Sequence, residues 1–151
     1  MHRVIAGQMN AFADQFEVVE VESKTFEAFV NYIVLRQMTA DNVSPNDLVY
    51  DGDDPGLDGV MIFLDDQYVS SPEEIALILE GRKRDVTASV IFTQSKSGEA
   101  WSKHEIATFK TAVEDFLEES PNFPMSDYLK NAHATLNTLI SNVGKLSGGR
   151  P

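Results

Sequence analysis

Leu57-Asp58-Gly59-Val60-Met61-Ile62-Phe63-Leu64 is almost wholly apolar after its first three residues. An apolar run of that length, bounded by turn formers, reads as a strand buried on both faces. The turn formers are Asp51-Gly52-Asp53-Asp54-Pro55-Gly56 before it and Asp65-Asp66 after it. A second run, Val86-Thr87-Ala88-Ser89-Val90-Ile91-Phe92-Thr93, is rich in β-branched residues and continues into Gln94-Ser95-Lys96, so it reads as a second buried strand. A third, shorter strand is expected at Leu48-Val49-Tyr50.

Outward from these strands the period changes to that of helices. Before them, Val4, Ile5, Met9, Phe12 and Phe16 give residues 3–17 a helical spacing interrupted only by Gly7. Ser23 can cap a helix running to about Met38, with Phe26, Phe29, Val30, Ile33 and Gln37 on one face. Between the strands, Ser71-Pro72-Glu73-Glu74 combines an N-cap, a first-turn Pro and a capping-box Glu, opening a helix that Gly81 stops after Glu80. After them, Ser102 and Glu105 form another capping box for a helix ending near Glu119, striped by Ile106, Phe109, Val113, Phe116 and Leu117. Ser126-Asp127 opens a last helix reaching about Val143, with Leu129, Ala132, Leu136, Leu139 and Ile140 along it; residues 147–151 read as a flexible tail.

The chain of 151 residues is in the single-domain range, and 42% hydrophobic residues including nine Phe can fill a core. The absence of Cys removes disulfides, thiolate zinc sites and cysteine nucleophiles. No run approaches the ~20 apolar residues needed to span a bilayer, and no signal-peptide core follows Met1, so a cytoplasmic protein without a membrane partner is expected. A net charge of -12 weighs against a phosphate-binding surface.

Side chains alternate across a strand, so Gln94 and Lys96 share a face with Val90 and Phe92, while Asp58 shares one with Val60 and Ile62. If the two strands are antiparallel neighbours, a carboxylate, an amide oxygen and an ammonium meet at one sheet edge. That set suits metal-assisted phosphodiester hydrolysis, since Mg²⁺ prefers oxygen ligands and a Lys can stabilise charge on phosphate. The same residues also read blandly, as a turn Asp and a solvent-facing strand end.

Gly56-Leu57-Asp58-Gly59-Val60, then Val90-Ile91-Phe92 and Gln94-Ser95-Lys96, resemble the PD-(D/E)xK nuclease superfamily in its Mrr-like branch, where Gln often replaces the acid. The chain most resembles the amino-terminal region of abortive-infection phage-resistance (AIPR) proteins, whose Asp-Gly-rich loop precedes the GxD strand. The helix bearing Phe26-Glu27 matches the first core helix, and the resemblance covers residues 23–119. It implies an α/β, restriction-endonuclease-like fold: a mixed β-sheet flanked by helices, with additional N- and C-terminal helices, forming one domain over 1–146. It also implies a Mg²⁺- or Mn²⁺-dependent endonuclease acting on DNA or RNA in phage defence. Asp58 is then the principal metal ligand, Gln94 the weaker second one, Lys96 the catalytic lysine and Ser95 a carbonyl ligand. Glu27 is an outer ligand or a base through water, or else an ordinary boundary residue. The family core closes with a strand after its second helix; here another helix follows, so the chain is expected to be part of a longer protein or rearranged at its end. The rival reading is an inactive nuclease-fold module for protein interaction or homo-oligomerisation.

The remaining signals are weaker. Asp51-x-Asp53-x-x-Gly56 is not an EF-hand, because Pro55 and Ile62 stand where oxygen ligands belong. Arg82-Lys83-Arg84 is either a phosphate contact or solvated loop charge. Trp101 either stacks on a base or packs over a helix start.

Overall fold

The computed structural model describes residues 1–48, 56–80, 86–98 and 100–146. The expected loop at 51–56 (but for Gly56), the basic cluster Arg82-Lys83-Arg84 and the tail 147–151 lie outside them. The elements are α1 (Arg3–Phe16), α2 (Glu22–Met38), a 3₁₀ turn (Pro45–Leu48), β1 (Gly59–Leu64), β2 (Gln67–Val69), α3 (Pro72–Glu80), β3 (Ala88–Thr93), α4 (Lys103–Phe116) and α5 (Asp127–Ser141), with a short 3₁₀ turn (Val143–Lys145) following.

β1 is the central strand of a sheet ordered β2-β1-β3, and both its neighbours run antiparallel to it. All six β1 residues are buried, as their unbroken apolar run requires. Asp65, with φ 55°, and Asp66 turn the chain into β2, whose Gln67 pairs with Leu64. Asp tolerates the left-handed conformation that such two-residue hairpin turns need. The sheet is therefore antiparallel throughout its named strands rather than mixed. One parallel bridge, Val86 to Leu146, lies beside the start of β3.

Alternating β1 residues feed two cores. Val60, Ile62 and Leu64 pack with Ile75 and Leu79 of α3, Phe116 of α4 and Leu136 of α5. Met61 and Phe63 face the other way onto Leu35 of α2 and Leu48. The molecule is thus layered, with α1 and α2 on one face of the sheet and α3, α4 and α5 on the other. A ring cluster of Phe12, Phe16, Phe29 and Tyr32, with centroids 5.1 to 5.5 Å apart, joins α1 to α2.

Three expectations change. Leu48 ends a 3₁₀ turn with its side chain fully buried instead of starting a strand, and Val49-Tyr50 lie outside the described residues. β3 is an edge strand, half-buried except at Thr93, instead of a strand covered on both sides. The buried face of α2 is Thr25, Ala28, Asn31 and Leu35, while Ile33 and Gln37 are exposed. Two of the four inward positions are polar, so apolar spacing pointed to the wrong face.

Tyr128 of α5 completes the sheet where β2 stops short. Its hydroxyl accepts from the Val60 N–H at 2.9 Å and donates to the Val60 carbonyl at 2.5 Å. β2 reaches back only to Ile62, so the edge groups of Val60 would otherwise lack a ladder partner.

Candidate functional site

The start of β1 is held by α2. Asn31, 1% exposed, donates from Nδ2 to the Asp58 carbonyl at 2.9 Å and accepts at Oδ1 from the Thr93 hydroxyl at 2.6 Å. This close approach explains Gly59: a Cβ there would sit 2.6 Å from Thr93 Oγ1 and 2.8 Å from Asn31 Oδ1. One buried amide therefore fixes the backbone of Asp58 against the end of β3.

Asp58 is not set squarely opposite Gln94. Its N–H donates to the Thr93 carbonyl at 2.9 Å, although Thr93 is already the register partner of Gly59. Two residues at the start of β1 thus share one residue of β3, a bulge-like offset that re-aims the Asp58 side chain. Its carboxylate meets Ser95: Oδ2 accepts from the Ser95 N–H at 2.5 Å and from Ser95 Oγ at 2.9 Å. Among the described residues no donor reaches Oδ1.

Glu27 lies close enough to feel this charge. Burial pushes its carboxyl above the usual value, Lys24 at 2.8 Å pulls it down, and the negative charge of Asp58 raises it further. A cleft of about 470 Å³ is lined by Glu22, Phe26 and Glu27 of α2 together with Ser95, Lys96 and Ser97. Asp58 adjoins this cleft through its bonds to Ser95.

Lys96 is engaged rather than free. Its Nζ pairs with Glu105 Oε1 and lies 5.9 Å from the centre of the Trp101 ring. Glu105 has a double role, because its Oε2 accepts from the Ser102 N–H at 2.6 Å while the Ser102 hydroxyl caps the Glu105 N–H, the capping box of α4. Its carboxyl is lowered to about 2, first by Lys96 and then by Ser102. The start of α4 thereby positions the lysine.

Gln94 turns elsewhere. It lines a second cleft of about 380 Å³ beside Val30 and Val34 of α2, Trp101, and Ile106 and Phe109 of α4. Its Oε1 is buried and, among the described residues, meets no donor. So the structure gathers Asp58, Ser95, Lys96 and Glu27 around one end of the sheet, and puts Gln94 next door in an apolar setting. Spacing did not single out Asn31 or Glu105 as site residues. Asn31 looks like an ordinary helix residue, and Glu105 carries only the signature of a cap.

The donors present suit a hard cation. Mg²⁺ is commonly held by one or two carboxylates with waters completing its shell. Asp58 and Glu27 supply two carboxylates that repel each other, and among the described residues no group of three or more His, Cys, Asp or Glu converges as a zinc cage would. No helix among the described residues is long and apolar enough to cross a membrane. No family model, curated protein or solved structure matches the chain.

Proposed function

We propose that this domain is a metal-dependent nuclease whose working groups are Asp58, Glu27, Ser95 and Lys96. The observation that carries the reading is the meeting of two mutually repelling carboxylates, Asp58 and Glu27, beside a lysine at one end of the sheet. Asp58 and Glu27 would hold Mg²⁺ or Mn²⁺, aided by the carbonyl of Ser95. The ion, when bound, polarises a phosphoryl group and offsets local negative charge. Ser95 orients Asp58 by fixing Oδ2, leaving Oδ1 turned to the ligand. Lys96 brings the cation that stabilises charge developing on phosphate, with Glu105 holding it in place until substrate arrives. A role in phage defence rests on the family resemblance.

The ion pair between Lys96 and Glu105 and the net charge of -12 favour a second reading, a nuclease-fold module that binds protein and cuts nothing. Labelled single- and double-stranded DNA and RNA, incubated with Mg²⁺ or Mn²⁺, separate the two. Cleavage by the wild-type protein that falls at least about 100-fold in Asp58→Asn and Lys96→Ala is the expected result, beyond the loss typical of a supporting residue of a metal site. Equal cleavage by all three proteins, or none by any, favours the second reading.

A further inference from the structure

We propose that the cleft around Gln94 is a recognition pocket for an unpaired adenine base, which deepens the nuclease reading and rests on it for the substrate class. The buried Oε1 of Gln94 is the starting point. A buried acceptor without a donor is costly and is retained where a partner arrives from outside. The surroundings exclude most partners, because Val34, Phe92, Ile106 and Phe109 are apolar and Trp101 offers an indole that is 47% exposed. A flat, largely apolar ligand carrying an N–H donor on its edge fits those walls.

Adenine meets the requirement at its N6/N7 edge. The Gln94 oxygen accepts from the N6 amino group, and the amide NH₂ donates to N7, the pairing that glutamine makes with adenine elsewhere. Guanine presents two acceptors on the same edge and would leave Oε1 facing another oxygen. Pyrimidines offer less ring for Trp101 to stack on. A cleft of about 380 Å³ accommodates a bicyclic base.

The location connects this pocket to the carboxylates. Trp101 lines the Gln94 cleft, while Lys96, 5.9 Å from its ring, lines the cleft of Glu27 and Ser95. A base on Trp101 therefore brings its own phosphate toward Lys96. Stacking also suits an acidic protein, since it draws on the π-face of a base instead of a row of cations along the backbone.

Trp101 is the sole tryptophan, so its fluorescence reports the pocket directly. The full chain in EDTA is titrated with a single-stranded hexamer carrying a central adenine, the same hexamer carrying inosine, and AMP. Inosine replaces the N6 donor with an acceptor. The adenine hexamer is expected to quench the indole with an affinity at least about 10-fold above that of the inosine hexamer. Gln94→Leu should erase that difference while its circular dichroism stays unchanged, and Asp58→Asn should keep it. AMP binding as tightly as the hexamer identifies a free nucleotide as the source of the base; tighter hexamer binding identifies a strand. Equal quenching by adenine and inosine hexamers overturns the pocket, as does a preference surviving Gln94→Leu. Cleavage that depends on Asp58 without any quenching overturns the pocket but not the nuclease; absence of both overturns the two together. Indole fluorescence that changes with protein concentration alone, and blocks the hexamer, shows a second copy in the cleft and also overturns the proposal.

Discussion

Glu27 joins burial to function at the scale of a single residue. Its carboxyl titrates above the usual range because it is partly desolvated and lies near Asp58, against which Lys24 acts only in part. A raised folded-state value means that the folded protein holds this proton more tightly than the unfolded chain does. The stability it contributes is thus fully present below the unfolded value and declines as pH rises through the raised one. Glu27→Gln removes that dependence. It is expected to unfold at a higher urea concentration than wild type at pH 7, with the difference closing by about pH 4, where an ordinary carboxyl is protonated in either state. Urea midpoints at the two pH values measure this directly. A mutant equally or less stable at pH 7 would mean that the Lys24 pair outweighs the burial. From sequence, Glu27 was legible as a residue at the margin of a helix face, because its neighbours Phe26 and Val30 are apolar. Its charge environment depends on the offset at Asp58, which leaves no mark in the spacing.

At the scale of elements, the contact between α2 and the β1–β3 ladder decides where the site forms. Gly59 permits it by lacking a side chain, and Asn31 fills the space with two hydrogen bonds. Gly59→Ala would press a methyl group onto Asn31 and Thr93, both buried and held by each other, so neither can yield cheaply. A loss of about 1–3 kcal/mol is expected, in the range for overpacking a filled core; chemical denaturation gives the value, and an unchanged midpoint would refute the contact. β1, α3, α4 and α5 were readable because runs, capping boxes and apolar stripes are local patterns. β2 was missed, since Gln67-Tyr68-Val69 is too short to show a period. The inward face of α2 was misread for a different reason: Asn31 and Thr25 are buried to satisfy particular backbone and hydroxyl groups, and hydropathy carries no record of such partners.

Over the whole molecule, one layered core brings two distant chain regions to a common point. Glu27 comes from α2, Asp58 from the entrance to β1, Ser95 and Lys96 from the exit of β3, and Glu105 from the start of α4. The mixed α/β character was evident from alternating periods, and the convergence of Asp58 with residues 95 and 96 followed once the strands proved antiparallel. The separation of Gln94 from that cluster was not evident, because alternation presumes a regular ladder and the ladder is offset at Asp58. An acidic chain of net charge -12 can attract a divalent cation as readily as it repels phosphate, which makes cation binding the link between composition and activity. The central claim is that Asp58 and Glu27 act as one cation-binding pair. Mn²⁺ titration followed by electron paramagnetic resonance tests it without any substrate. The account predicts one Mn²⁺ held per chain at pH 7, with affinity falling at least about 10-fold in both Asp58→Asn and Glu27→Gln. Binding that is absent in wild type, or unaltered in either variant, would contradict it.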